Sequence, residues 1–136
     1  ILQGIFHRGF QDTHQVAGQL LGYANVAVFR GDGGEIDRRP NKPCEVFTCA
    51  DGILGSETWP VLINDPVQPE DTEMDVQRLA RVWSGAEGDE YGTAAVTGTL
   101  ALALKLLGRA ADMEAADIEA RRMWEGRDRD HMGLAA

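Results

Sequence analysis

Residues 2–29 read LQGIFHRGFQDTHQVAGQLLGYANVAVF, and the spacing of apolar side chains along them decides the fold class. The opening run from Ile1 to Phe6 is too densely apolar for simple alternation, which is the pattern of a buried strand. His7, Arg8 and Gly9 break that run. Over residues 10–21 the apolar positions Val16, Ala17, Leu20 and Leu21 recur at helical spacing and form one face, with Gly22 placed as a left-handed cap. His14 falls off that face and reads as solvent-facing. Residues 25–29 (Asn25, Val26, Ala27, Val28 and Phe29) are again a dense apolar strand. Strand, helix and strand within about 30 residues make a βαβ unit. Such a crossover implies parallel pairing, and the fold class is α/β.

Outward from this unit the pattern changes. Residues 44–48, a turn at Asp51 and Gly52, and residues 53–59 read as a hairpin. Residues 64–73 are polar and contain Pro, as a connector does. Three helices follow. Val76, Leu79, Ala80 and Trp83 share a face, with Thr72 as the expected N-cap and Gly85 as the stop. Residues 94–107 are apolar nearly all round, which predicts a helix enclosed on every side. Met113, Ala116, Ala120, Met123 and Trp124 form the stripe of the last helix, between Asp112 and Gly126.

The chain has 136 residues and a formal net charge of −9, which suits an ordinary globular chain rather than a disordered or collagen-like one. A pI near 4.7 argues against a generic polyanion-binding surface, though it leaves room for a local basic patch. The charge is uneven. Residues 65–90 hold eight acidic and two basic residues, six of the nine net negative charges, and read as a solvated acidic face. Cys44 and Cys49, five apart on one strand, point to opposite faces, which predicts two reduced core thiols and a cytoplasmic setting. The most apolar run, residues 94–107, falls short of the ~20 residues a membrane span needs.

One segment reads as a site. Residues 30–43 form a loop with three glycines and two prolines at the carboxyl end of the second strand, where ligands bind in open α/β sheets. Asp32, Glu35 and Asp37 are candidate ligands for a divalent cation such as Mg²⁺. Arg30, Arg38, Arg39 and Lys42 are candidate contacts for phosphate oxygens, whether of a small ligand or of nucleic acid. Gly31, Gly33 and Gly34 let backbone N–H groups approach an anion. His7, at the end of the first strand, is placed to point into the same cleft. The competing reading is a polar surface turn, which uses the same residue types. The loop is not a P-loop, since it lacks the Gly-Lys-Ser/Thr ending.

The stretch LQGIFHRGFQDTHQVAGQLLGYANVAVFRGDGGE (residues 2–35), with GTAAVTGTLALALKLLGRA (residues 92–110) before a final helix, resembles the C-terminal part of the anthranilate phosphoribosyltransferase-like glycosyl transferase family 3. Gly31, Gly34, Glu35, Arg39 and Pro40 follow the loop pattern of an uncharacterised branch of that family, which includes DNA-binding paralogues. The resemblance implies the C-terminal portion of a nucleoside phosphorylase/phosphoribosyltransferase-like α/β domain. The N-terminal helical domain and the phosphate-binding half would lie elsewhere in the polypeptide. That remainder would complete the core, and the parent would be a homodimer. It further implies a phosphoribosyl diphosphate donor held with Mg²⁺. The family's Gly-Thr-Gly-Gly-Asp loop and Lys-His-Gly segment have no counterpart in these residues. Its adjacent Asp-Glu metal pair is replaced here by Glu35-Ile36-Asp37. Two functions follow: pentosyl transfer, or non-specific nucleic-acid binding on the same fold without transfer.

Overall fold

A computed structural model describes residues 1–31, 35–64 and 75–131. Its elements run β1 (Leu2–Gly4), a 3-10 turn (Arg8–Phe10), α1 (Gln11–Leu20), β2 (Asn25–Phe29), β3 (Cys44–Ala50), β4 (Ile53–Trp59), α2 (Val76–Ser84), α3 (Glu90–Leu106) and α4 (Met113–Glu125). The four strands form one mixed sheet in the order β1-β2-β3-β4. β1 lies parallel to β2, pairing Leu2 with Ala27 and Gly4 with Phe29. β3 and β4 continue the sheet antiparallel, in a hairpin that turns at Asp51 and Gly52. The α/β class and the βαβ unit are therefore present. The first strand is shorter than the apolar run suggests.

The density of β2 now has its cause. Val26 and Val28 point to one face of the sheet, where they pack with Ile5, Cys49 and Phe47. Ala27 and Phe29 point to the other, against Val46, Trp59, Ala101 and Leu102 of α3, and Ala116 and Ala120 of α4. A strand covered on both faces has no reason to alternate. Cys44 and Cys49 are both buried and free, one in each of these clusters.

Caps explain the helix boundaries. Asp112 accepts a hydrogen bond from the Ala115 N–H and opens α4 as expected. Asp89 does the same for α3 through the Gly92 N–H, five residues before the apolar run begins. α2 opens at Asp75, whose carboxylate accepts from the Arg78 N–H, and it ends at Gly85, where φ is +84°. Thr72, the cap expected for α2, lies outside the described residues. α3 is less enclosed than its composition predicts: Val96 is half exposed, because α4 and the sheet cover only part of its circumference. Among the described residues, no helix is long and apolar enough to cross a membrane.

α1 reverses its sequence reading. The row that includes Val16, Leu20 and Leu21 faces outward, with Leu20 81% and Leu21 68% exposed, while Gln11, Gln15 and Gly18 are the buried positions. The buried side matches what the sheet needs. Gln15 Nε2 donates to the Thr48 and Gly55 carbonyls at 2.6 and 2.8 Å, and Gln19 Nε2 donates to the Gly52 carbonyl at 2.6 Å. Gly18 brings the helix against Val26; a Cβ there would lie 2.8 Å from Val26 Cγ2. His14 is exposed as expected, although the apolar row it falls off is exposed as well.

Candidate functional site

Both strands of the parallel pair end at the same edge of the sheet, and β3 begins there because it runs the opposite way. Each contributes to one small cavity of about 130 Å³. Arg8 comes from the 3-10 turn that follows β1. Arg30 and Gly31 leave β2, Arg39, Lys42 and Pro43 come from the returning loop, Cys44 and Glu45 open β3, and Gln11 opens α1. Among the described residues, four cationic side chains therefore line one recess with one carboxylate, that of Glu45.

Local structure holds this edge in shape. Arg30 Nε donates to the Phe6 carbonyl at 3.0 Å, which ties the end of β2 to the chain leaving β1. The Gly31 N–H donates to the Glu35 carbonyl at 3.2 Å and closes the loop on itself. That closure depends on glycine, since a Cβ at residue 31 would stand 2.6 Å from the Glu35 carbonyl oxygen and 2.9 Å from that of Asp37. Burial pushes the Cys44 thiol up to about 11, with the nearby Arg38 charge only partly opposing the shift. The thiol is neutral at physiological pH and adds no negative charge to the recess.

The residues expected at the site divide. Arg30, Gly31, Arg39 and Lys42 meet at the cavity. Arg38 does not: its side chain is 0% exposed and turns to the opposite side of the loop. There its guanidinium pairs with Asp117 at 3.3 Å, donates to the Pro60 carbonyl at 2.6 Å and lies 4.8 Å from the Trp59 ring centroid. Its backbone N–H donates to Thr99 Oγ1 at 2.8 Å. Burial pulls the Arg38 pKa below its ordinary value, and Asp117 offsets part of that shift. This arginine fastens the loop to β4, α3 and α4.

Glu35 is exposed and Asp37 half-buried; neither lines the cavity. Asp32, Gly33 and Gly34 lie outside the described residues. Among those described, no group of three or more His, Cys, Asp or Glu side chains is gathered to hold a metal ion. Of the three expected Mg²⁺ ligands, only Glu35 and Asp37 are among the described residues. His7 is exposed and does not line the cavity. Its Nδ1 accepts from the Gly9 N–H at 3.1 Å, and its ring meets the edge of Phe10.

Arg8 and Gln11 were not legible from the loop alone. A signal existed for Arg8, which directly follows His7 at the carboxyl end of β1, the same end at which the loop leaves β2.

A larger opening, about 710 Å³, lies between Leu62, Ile63, the start of α3 and the end of α4. Its charges are mixed, with Asp89, Glu90 and Glu125 against Arg121. Asp89 is already engaged by the Gly92 N–H and by Arg78 at 2.9 Å. Nothing there converges on one chemistry as the four cations do. No protein-family model matches the chain, and no curated protein matches it.

Proposed function

We propose that the chain is part of a pentosyl (phosphoribosyl) transferase-family protein, and that the cationic cavity binds phosphate of a phosphoribosyl diphosphate-type donor. The observation that carries this reading is the convergence of Arg8, Arg30, Arg39 and Lys42 at the carboxyl ends of a parallel strand pair. The resemblance of residues 2–35 and 92–110 to glycosyl transferase family 3 supports the choice of donor.

The chemistry assigned to these residues is binding and orientation. Guanidinium groups offer planar forks that match phosphate oxygens, and Lys42 adds a point charge. Cations gathered at the site stabilise charge that collects on a departing diphosphate, and the bond from Arg30 to the Phe6 carbonyl holds one of them in place.

Calorimetric titration of the protein with phosphoribosyl diphosphate tests the reading. Saturable binding at millimolar ligand or below is the expected result, and silence there removes the proposal. The second reading, a nucleic-acid-binding protein on the same fold, rests on the same cations used along a sugar–phosphate backbone. Duplex DNA retained with a steep salt dependence, by a protein silent to phosphoribosyl diphosphate, would put that reading first.

A further inference from the structure

We propose that the cavity takes one phosphate group, as inorganic phosphate or as the end of a phosphate monoester, and that Arg8 is one of the residues that bind it. The inference rests on the reading of this cavity as the anion site and adds to it a residue and a ligand class.

Size comes first. A recess of about 130 Å³ is well above the roughly 10–15 Å³ that one water needs, so a tetrahedral anion has room. It is also well below the range of about 300–1,000 Å³ typical of drug-sized ligands. A whole sugar diphosphate does not fit inside, whereas one of its phosphate ends does. A nucleic-acid backbone calls for a basic stripe along a surface. Here the cations come from three separate segments and close on one recess.

Direction comes second. Arg8 stands on the 3-10 turn after β1, Arg30 at the end of β2, and Arg39 and Lys42 on the loop returning to β3. A phosphate accepts hydrogen bonds over its whole surface, so donors arriving from different walls suit it better than they suit a planar carboxylate. α1 adds to this. Its first residue, Gln11, is buried in the wall, and Phe10 before it makes no side-chain cap bond. The Gln11 N–H is already engaged by the Arg8 carbonyl within the preceding turn, so α1 contributes the Gln11 side chain to the wall rather than a free helix end. Among the described residues Glu45 is the one carboxylate in the lining, and it is exposed, as are Arg8, Arg30 and Lys42.

Calorimetry on the full chain with inorganic phosphate, ribose 5-phosphate and phosphoribosyl diphosphate as separate probes tests this. Arg8→Gln and Lys42→Gln are compared with wild type and with Arg109→Gln, a change at an exposed arginine outside the cavity lining. Removing one charge-assisted contact should weaken inorganic phosphate or ribose 5-phosphate by roughly tenfold to a hundredfold in Arg8→Gln, and leave Arg109→Gln like wild type. Binding of both probes identifies a site open to phosphate esters, and binding of inorganic phosphate alone a site for the free ion. Either result supports the proposal. Silence to both probes overturns it, as does affinity that Arg8→Gln and Lys42→Gln leave unchanged. Response to phosphate with silence to phosphoribosyl diphosphate retains this site and removes the transferase reading, so the two fail separately.

Discussion

Burial sorts four cations that the sequence places close together, Arg30, Arg38, Arg39 and Lys42, and a fifth, Arg8, from far upstream. Arg8, Arg30, Arg39 and Lys42 line a recess, while Arg38 is enclosed among Trp59, the Pro60 carbonyl and Asp117. Nothing in the run Asp37-Arg38-Arg39-Pro40 distinguishes the two neighbouring arginines, because the difference lies in what packs above and below the loop. A buried charge that loses its partners is costly, and so is the charge left behind. Arg38→Ala should therefore lower stability by about 3–5 kcal/mol, read from the urea midpoint at unchanged m. Joint replacement of Arg38 by Met and Asp117 by Leu should recover much of that loss, since an apolar pair of similar size needs no charge compensation. A loss below about 1 kcal/mol in Arg38→Ala would mean that the arginine does not fasten the loop.

At the scale of elements, α1 is the instructive case. Its apolar row was legible, and the side it turns to the sheet was not. Periodicity records that a helix has two unlike faces but not which of them another element can use. The hairpin presents the Thr48, Gly55 and Gly52 carbonyls, and amide donors on Gln15 and Gln19 bond to them. Gly18 sets how closely the helix approaches. Gly18→Ala should cost roughly 1–3 kcal/mol, because Val26 beside it belongs to the packed cluster under α1. Leu20→Gln, on the exposed row, should stay within about 0.5 kcal/mol. Urea denaturation of the two variants checks both, and the opposite order would mean that the apolar row is the packed one. Elsewhere elements followed local signals: Asp89 and Asp112 cap α3 and α4, and Gly85 closes α2.

Over the whole molecule, a net charge of −9 coexists with a cationic recess. Much of the acidity falls within residues 65–90, so the total says little about the field at the sheet edge. Screening follows from that locality. Phosphate affinity should fall by roughly threefold to tenfold as ionic strength rises from about 0.01 to 0.15 M, where the Debye length shortens from about 30 to 8 Å. Calorimetry at the two salt levels measures it, and constant affinity would show that the four cations do not carry binding. The sequence by itself determined the βαβ unit, the hairpin, the C-terminal helices and most of their ends, because these depend on neighbours within a few positions. It also marked Arg30, Arg39 and Lys42, which share one loop. Only tertiary structure decided which face of α1 packs, that Arg38 turns inward, and that Arg8 and Gln11 join the recess. Those outcomes depend on contacts between residues far apart in the chain, and no local pattern encodes which distant surface will be met.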